Sequence, residues 1–210
     1  MTEETKRPYP DAALLDPVAP DAFQPDPALA QWLMDTFIAD DARLLNGDHS
    51  HLRFANIGCL WTNVGNSRQQ RRIVGQCELG QPRAMQGKWG KARQEIQVRE
   101  WFGDVPDFIL TFDAGYAASC SDAEFCALVE HELYHAGQER DDFGQPKFTR
   151  EGRPKFAMRG HDVEEFVGVV RRYGASASGV AELVEAAKRG PQIAAVSISQ
   201  VCGTCALRAA

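Results

Sequence analysis

No run of about eighteen apolar residues occurs in this chain, which excludes a membrane-spanning helix. The opening MTEETKRPYP has no hydrophobic signal core, so a cytoplasmic protein, bacterial or made inside a bacterial host, is expected. No glycine-rich phosphate loop and no Ser-His-Asp arrangement is present, which sets aside nucleotide-phosphate and serine-hydrolase chemistry. There are no repeats, and the only biased segment is a proline-rich beginning. The net charge of −6 favours solubility and says little about partners. Cysteine is sparse: Cys59, Cys77, Cys120, Cys126, Cys202 and Cys205. The single CxxC at Cys202 and Cys205 falls two ligands short of a structural zinc site, and free thiols are the expectation in a reducing compartment. Histidine is scarcer still, five in 210 residues.

Three of those five are where the chemistry gathers. Ser121 to Gly137 reads SDAEFCALVEHELYHAG and holds His131-Glu132-Leu133-Tyr134-His135, the HExxH pattern of zinc hydrolases. Residues four apart on a helix lie about 40° apart around the axis, one turn along it. His131 and His135 therefore share a face and can hold one metal ion, with Glu132 beside them to take a proton from the water such an ion activates. The helix is supported independently. Ser121 and Glu124 form a capping box, Phe125, Leu128 and Val129 make an apolar stripe, and Gly137 is a stop signal. Tyr134 is expected to point off the ligand face.

The rest of the chain is organised around that helix. Residues 1–26 carry prolines 8, 10, 17, 20 and 25 and read as an extended or disordered arm, long enough to cover a cleft as an autoinhibitory segment. Asp26 caps a helix with Pro27 at its first position, and Leu29, Trp32, Leu33 and Phe37 on one face. That helix is expected to run to Asn46-Gly47. Strands are expected over His51 to Thr62, Arg72 to Leu79 and Pro106 to Asp113. In the third, Phe108, Leu110 and Phe112 face one way and Ile109 and Thr111 the other. This third strand is the expected edge strand above the helix, where extended substrate backbone would pair. Cys59 and Cys77 are candidates for neighbours on adjacent strands. Gln138 to Arg159 reads as a polar loop, and a helix follows from Gly160 to Tyr173-Gly174. A metallopeptidase domain over 27–175 is the expectation, followed by a C-terminal helical tail with the CxxC over 176–210.

A zinc site needs a third protein ligand. His161 is the one histidine downstream of His135, and Glu164 and Glu165 lie a turn further on. A neutral imidazole favours His161, leaving Glu164 and Glu165 as outer partners of an imidazole N–H or as the alternative third ligand.

HELYHAG followed by RGHDVEEFVGVVRRYG resembles the SprT-like zinc metallopeptidases. The stretches DFILTFDAGYA, SDAEFCALVEHELYHAG and GHDVEEF are closer still to the phage metallopeptidase family, over roughly residues 50–175. The resemblance implies an α+β, zincin-like fold, a small and mostly antiparallel sheet of about three strands packed on the HExxH helix. It implies one zinc ion on His131, His135 and His161, Glu132 as general base, and hydrolysis of peptide bonds in a protein or peptide substrate. Tyr116, Arg159 and Tyr173 are candidate oxyanion donors.

A second reading is a metal-binding regulatory protein that holds a partner on a metallopeptidase fold. Residues 65–99 carry eight Arg or Lys against Glu78 and Glu95, a local +6 that leaves nucleic acid or an acidic partner open. The −12 on the remainder argues against strong DNA affinity.

Overall fold

The computed structural model describes residues 6–68, 70–81, 87–163, 167–175, 180–193 and 201–202. Its core begins at Asp26. The carboxylate accepts from the backbone N–H groups of Ala28 and Leu29, opening helix α1 (Pro27–Leu33). Its second oxygen accepts from the indole Nε1 of Trp61 at 2.7 Å. One side chain thus caps a helix and satisfies a buried tryptophan. The helix widens into a π-turn, Met34–Ile38, and ends there, eight residues short of the expected Asn46. Asn46 instead caps a 3₁₀ helix, Gly47–Phe54. That helix consumes the first half of the stretch expected as strand from His51, so strand β2 is only Ile57–Thr62.

Strand β1 (Phe23–Pro25) precedes α1, and strands β3 (Ser67–Arg68), β4 (Arg71–Leu79) and β5 (Phe108–Asp113) follow β2. Among the described residues the sheet runs β1-β2-β5-β4-β3. β2 and β5 are parallel, Ile57↔Phe108 to Thr62↔Asp113, while β4 is antiparallel to β5, Gly75↔Phe112 to Leu79↔Phe108. The fold is of the α+β class with a mixed sheet, and the three expected strands are its centre. β5 is a central strand, hydrogen-bonded on both sides, and so cannot be the substrate-pairing edge. Cys59 and Cys77 both stand opposite Leu110 of β5, one on each side, and are therefore a strand apart rather than neighbours.

β5 divides the core as its alternation requires. Phe108, Leu110 and Phe112 join the main cluster with Leu29, Trp32 and Leu33 of α1. Ile109 packs with Leu60 and Val98 in a smaller cluster on the opposite face. Val98 belongs to α2 (Gly87–Phe102), a helix inside the basic stretch that the sequence pattern did not indicate. Its faces are nearly undifferentiated: Val98 is its one buried residue among those described, and Trp89 is 89 % exposed. Two of the basic groups there are already paired, Arg72 with Asp113 and Arg99 with Glu95 and Asp104.

Short α3 (Ala114–Ser119) leads into α4 (Asp122–His135), and both halves of the Ser121–Glu124 capping box are formed. Phe125, Leu128, Val129 and Leu133 of α4 fill the main core, Phe125 with its ring 5.5 Å from that of Phe112. Beyond α4 the expected polar loop is a hairpin: β6 (Ala136–Gln138) pairs antiparallel with β7 (Phe156–Met158). Glu139 takes both Lys147 and Lys155 at its base. Then come α5 (Val167–Tyr173), α6 (Val180–Arg189) and β8 (Val201–Cys202), which pairs with β4.

The N-terminal arm is docked from residue 6 onward. Arg7 is buried, its Nε 2.6 Å from Asp122 and its Nη2 donating to the carbonyl of Cys120. Leu14 is buried and β1 adds to the sheet through β2. The Arg7 contacts fall at the first turn of α4, the end away from His131 and His135.

Candidate metal centre

His131 and His135 lie one turn apart on the last turns of α4, their ring centroids 5.0 Å apart. The hairpin supplies the third ring. Ala136↔Met158 pairing brings Arg159 back against the helix end, where its N–H donates to the carbonyl of His135 at 2.9 Å. Gly137 sits at the crossing: a Cβ there would fall 2.9 Å from the Cβ of Arg159. Two residues on, His161 faces the pair, its ring 5.1 Å from His131 and 5.0 Å from His135. A spacing of 26 residues in the chain is thus closed by the antiparallel hairpin.

Each of the three imidazoles offers a nitrogen within 4.8 Å of the others, and His131 Nε2 to His161 Nε2 is 3.3 Å. A tetrahedral ion with metal–nitrogen bonds of about 2.0–2.1 Å needs nitrogens roughly 3.3–3.4 Å apart, which the His131–His161 pair meets. The rings are also prepared electronically. His135 Nδ1 lies 2.7 Å from the carbonyl oxygen of Arg159, which fixes the proton on Nδ1 and leaves the Nε2 lone pair for a metal. Burial, with His135 and His161 alongside, pushes His131 down to about 4, so the ring is neutral. Imidazole nitrogens suit a divalent transition metal.

Glu132 is fully buried on the neighbouring face of α4. β4 crosses directly over it: a Cβ on Gly75 would fall 2.9 Å from Glu132 Oε1. β4, not β5, is therefore the strand laid against the site. Tyr134 also reaches the metal pocket, contrary to the orientation expected from the helical wheel. The open cavity of about 400 Å³ is lined by Asp48, Tyr134 and Arg159 with the three histidines. The Tyr134 hydroxyl donates to Asp48 at 3.0 Å and accepts from Asn46 at 2.9 Å. Asp48 and Asn46 come from the 3₁₀ helix and its cap, which no motif marked. Of the expected oxyanion donors, Arg159 lines the cavity and Tyr116 packs beside the main core instead. The side chain of Tyr173 and all of Glu164 and Glu165 lie outside the described residues.

The family model described as "Putative phage metallopeptidase" matches residues 30–188. The chain belongs to this family. The match takes in the HExxH helix, the hairpin and His161, and it ends before β8. No curated protein and no solved structure matches the chain. Membership of a metallopeptidase family implies a metal ion, and the His131, His135 and His161 triad is a cluster that could bind one. No helix among the described residues is long and apolar enough to cross a membrane.

Proposed function

We propose that the protein is a zinc-dependent peptidase, phage- or prophage-encoded, with His131, His135 and His161 holding the ion and Glu132 as general base. One observation carries this reading: three imidazole nitrogens lie within 4.8 Å of one another, two of them on the helix that also carries the buried Glu132. When bound, zinc supplies Lewis-acid polarisation of the scissile carbonyl and brings the pKa of water towards about 7.

The protein's own groups do the rest. Glu132 takes a proton from the attacking water and hands it to the leaving amine. Its carboxylate is fully buried against Gly75, so it has little freedom to swing away from that task. The Arg159 carbonyl keeps His135 in one tautomer and one ring orientation. Arg159, which lines the cavity, is the donor assigned to a developing oxyanion. β4, on its side away from β5, would offer main-chain donors and acceptors to an extended peptide, which would align the scissile bond without reading side chains.

The test is metal content together with cleavage of a disordered protein such as casein. Wild type, Glu132→Gln and Glu164→Ala each carry one zinc per chain, whereas His131→Ala and His161→Ala lose it. Glu132→Gln loses cleavage by about 10²- to 10⁴-fold with its zinc retained. Cleavage that survives Glu132→Gln, or zinc that survives both histidine substitutions, overturns the assignment.

A further inference from the structure

The strand laid against the site is already taken on its outer side. β8 pairs in parallel with β4, Val201 opposite Ile73 and Cys202 opposite Gly75. Gly75 is the position that presses on Glu132, so β8 runs along the part of β4 nearest the proposed general base. A second C-terminal element arrives independently: Glu182, in the first turn of α6, lines the same cavity as His131, His135 and His161.

We propose that β8 is an intramolecular occupant of the substrate edge, and that an extended peptide pairs with β4 only after β8 leaves. The proposal rests on the peptidase reading of the site. Three features make β8 a displaceable occupant rather than a permanent strand. It is two residues long. Its pairing is parallel, which is slightly weaker per residue than antiparallel pairing. Its register with β4 is irregular between Ile73 and Gly75. A peptide that pairs along more of β4 gains more ladder bonds and wins, while a short one competes poorly against a tethered strand at an effective concentration of order mM. The occupant therefore sets a length threshold and favours unfolded or extended protein substrates over short peptides.

The experiment keeps the full chain. Backbone N–H groups alternate in direction along a strand, so one of Val201→Pro and Cys202→Pro must remove a donor that faces β4. Binding of fluorescein-labelled casein is measured by anisotropy in the zinc-loaded Glu132→Gln background, and casein cleavage in the Glu132 background. Expected is tighter binding by about five- to tenfold in at least one proline variant, from one lost ladder bond, with a matching fall in KM. Val201→Thr and Cys202→Ser keep the N–H and leave binding unchanged. Unchanged binding in both proline variants overturns the proposal, and so does an equal gain in the Thr and Ser variants. Tighter binding with no cleavage by any form supports the occupancy of β4 and overturns the peptidase reading. Cleavage by wild type with unchanged binding does the reverse.

Discussion

Gly75 is where the sheet and the metal-site helix come closest, and the contact makes a sharp prediction. A Cβ there would stand 2.9 Å from both Glu132 Oε1 and Leu128 Cδ1. Gly75→Ala must push one of them. Overpacking of this kind costs about 1–3 kcal/mol. Since Glu132 is not a proposed ligand, zinc content stays at the wild-type value while casein cleavage falls well beyond what the lost stability explains. Loss of zinc in this variant would contradict the separation of roles between Glu132 and the histidines. His49 gives a second prediction. It is 1 % exposed, stacked edge-on to Tyr134 at 4.7 Å, with Nε2 3.8 Å from Glu130. Burial, then the charge of His51, pushes it down from 6.5 to about 4. Below pH 6.5 the unfolded chain takes up a proton that the folded ring refuses, so stability falls between 6.5 and about 4, by up to a few kcal/mol. Urea titrations of metal-free wild type and His49→Gln across that range should show the shallower decline in the variant. Parallel declines would mean that the ring is not held neutral.

At the scale of elements, helix α1 is tied to strand β2 through one carboxylate. Asp26→Ala removes the acceptor for two α1 amides and leaves the indole N–H of Trp61, a residue 1 % exposed, without its acceptor. A lost cap costs about 1 kcal/mol and an unsatisfied buried donor about 1–3, so a loss of roughly 2–4 kcal/mol is expected by chemical denaturation. Asp26→Asn retains an oxygen for the cap and places an NH₂ against the indole, so its loss should be smaller and nonzero. The helices whose limits were readable, α1 at its start and α4 throughout, are those whose ends are written in side chains: Asp26-Pro27, and Ser121 with Glu124. α2 has no such cap signal and its apolar residues are gathered at its end, where Val98, Trp101 and Phe102 pack with Leu60 and Ile109. Periodicity could not announce it. The end of α1 was also hidden, because a π-turn at Met34–Ile38 ends it without glycine or proline.

At the scale of the whole molecule, the arm holds the first turn of α4, and the C-terminal strand pairs with β4, the strand that crosses Glu132. Arg7 secures the arm, its guanidinium 4.8 Å from the Phe125 ring and 4.3 Å from that of Tyr9. Its partner Asp122 is 69 % exposed, so Arg7→Ala should cost less than breaking a fully buried pair, about 2–3 kcal/mol in thermal or urea unfolding. A change within about 0.5 kcal/mol would show that Arg7 adds nothing to the fold.

The residue pattern alone determined the local parts of this protein. These are the HExxH helix with its cap, the three central strands, the two faces of β5, and His161 as a further imidazole. Each depends on neighbours a few positions apart, and such spacings are legible in a linear string. Tertiary structure decided what depends on distant partners. Strand order is one such matter: FILTFD is apolar on both faces, which marks a buried strand but does not name its neighbours, and only pairing with both β2 and β4 makes β5 central. The closing of the triad is another, because it needs the β6–β7 hairpin to carry His161 back to His135. The third is the place of the C-terminal strand on β4, since main-chain hydrogen bonding leaves no trace in side-chain identity.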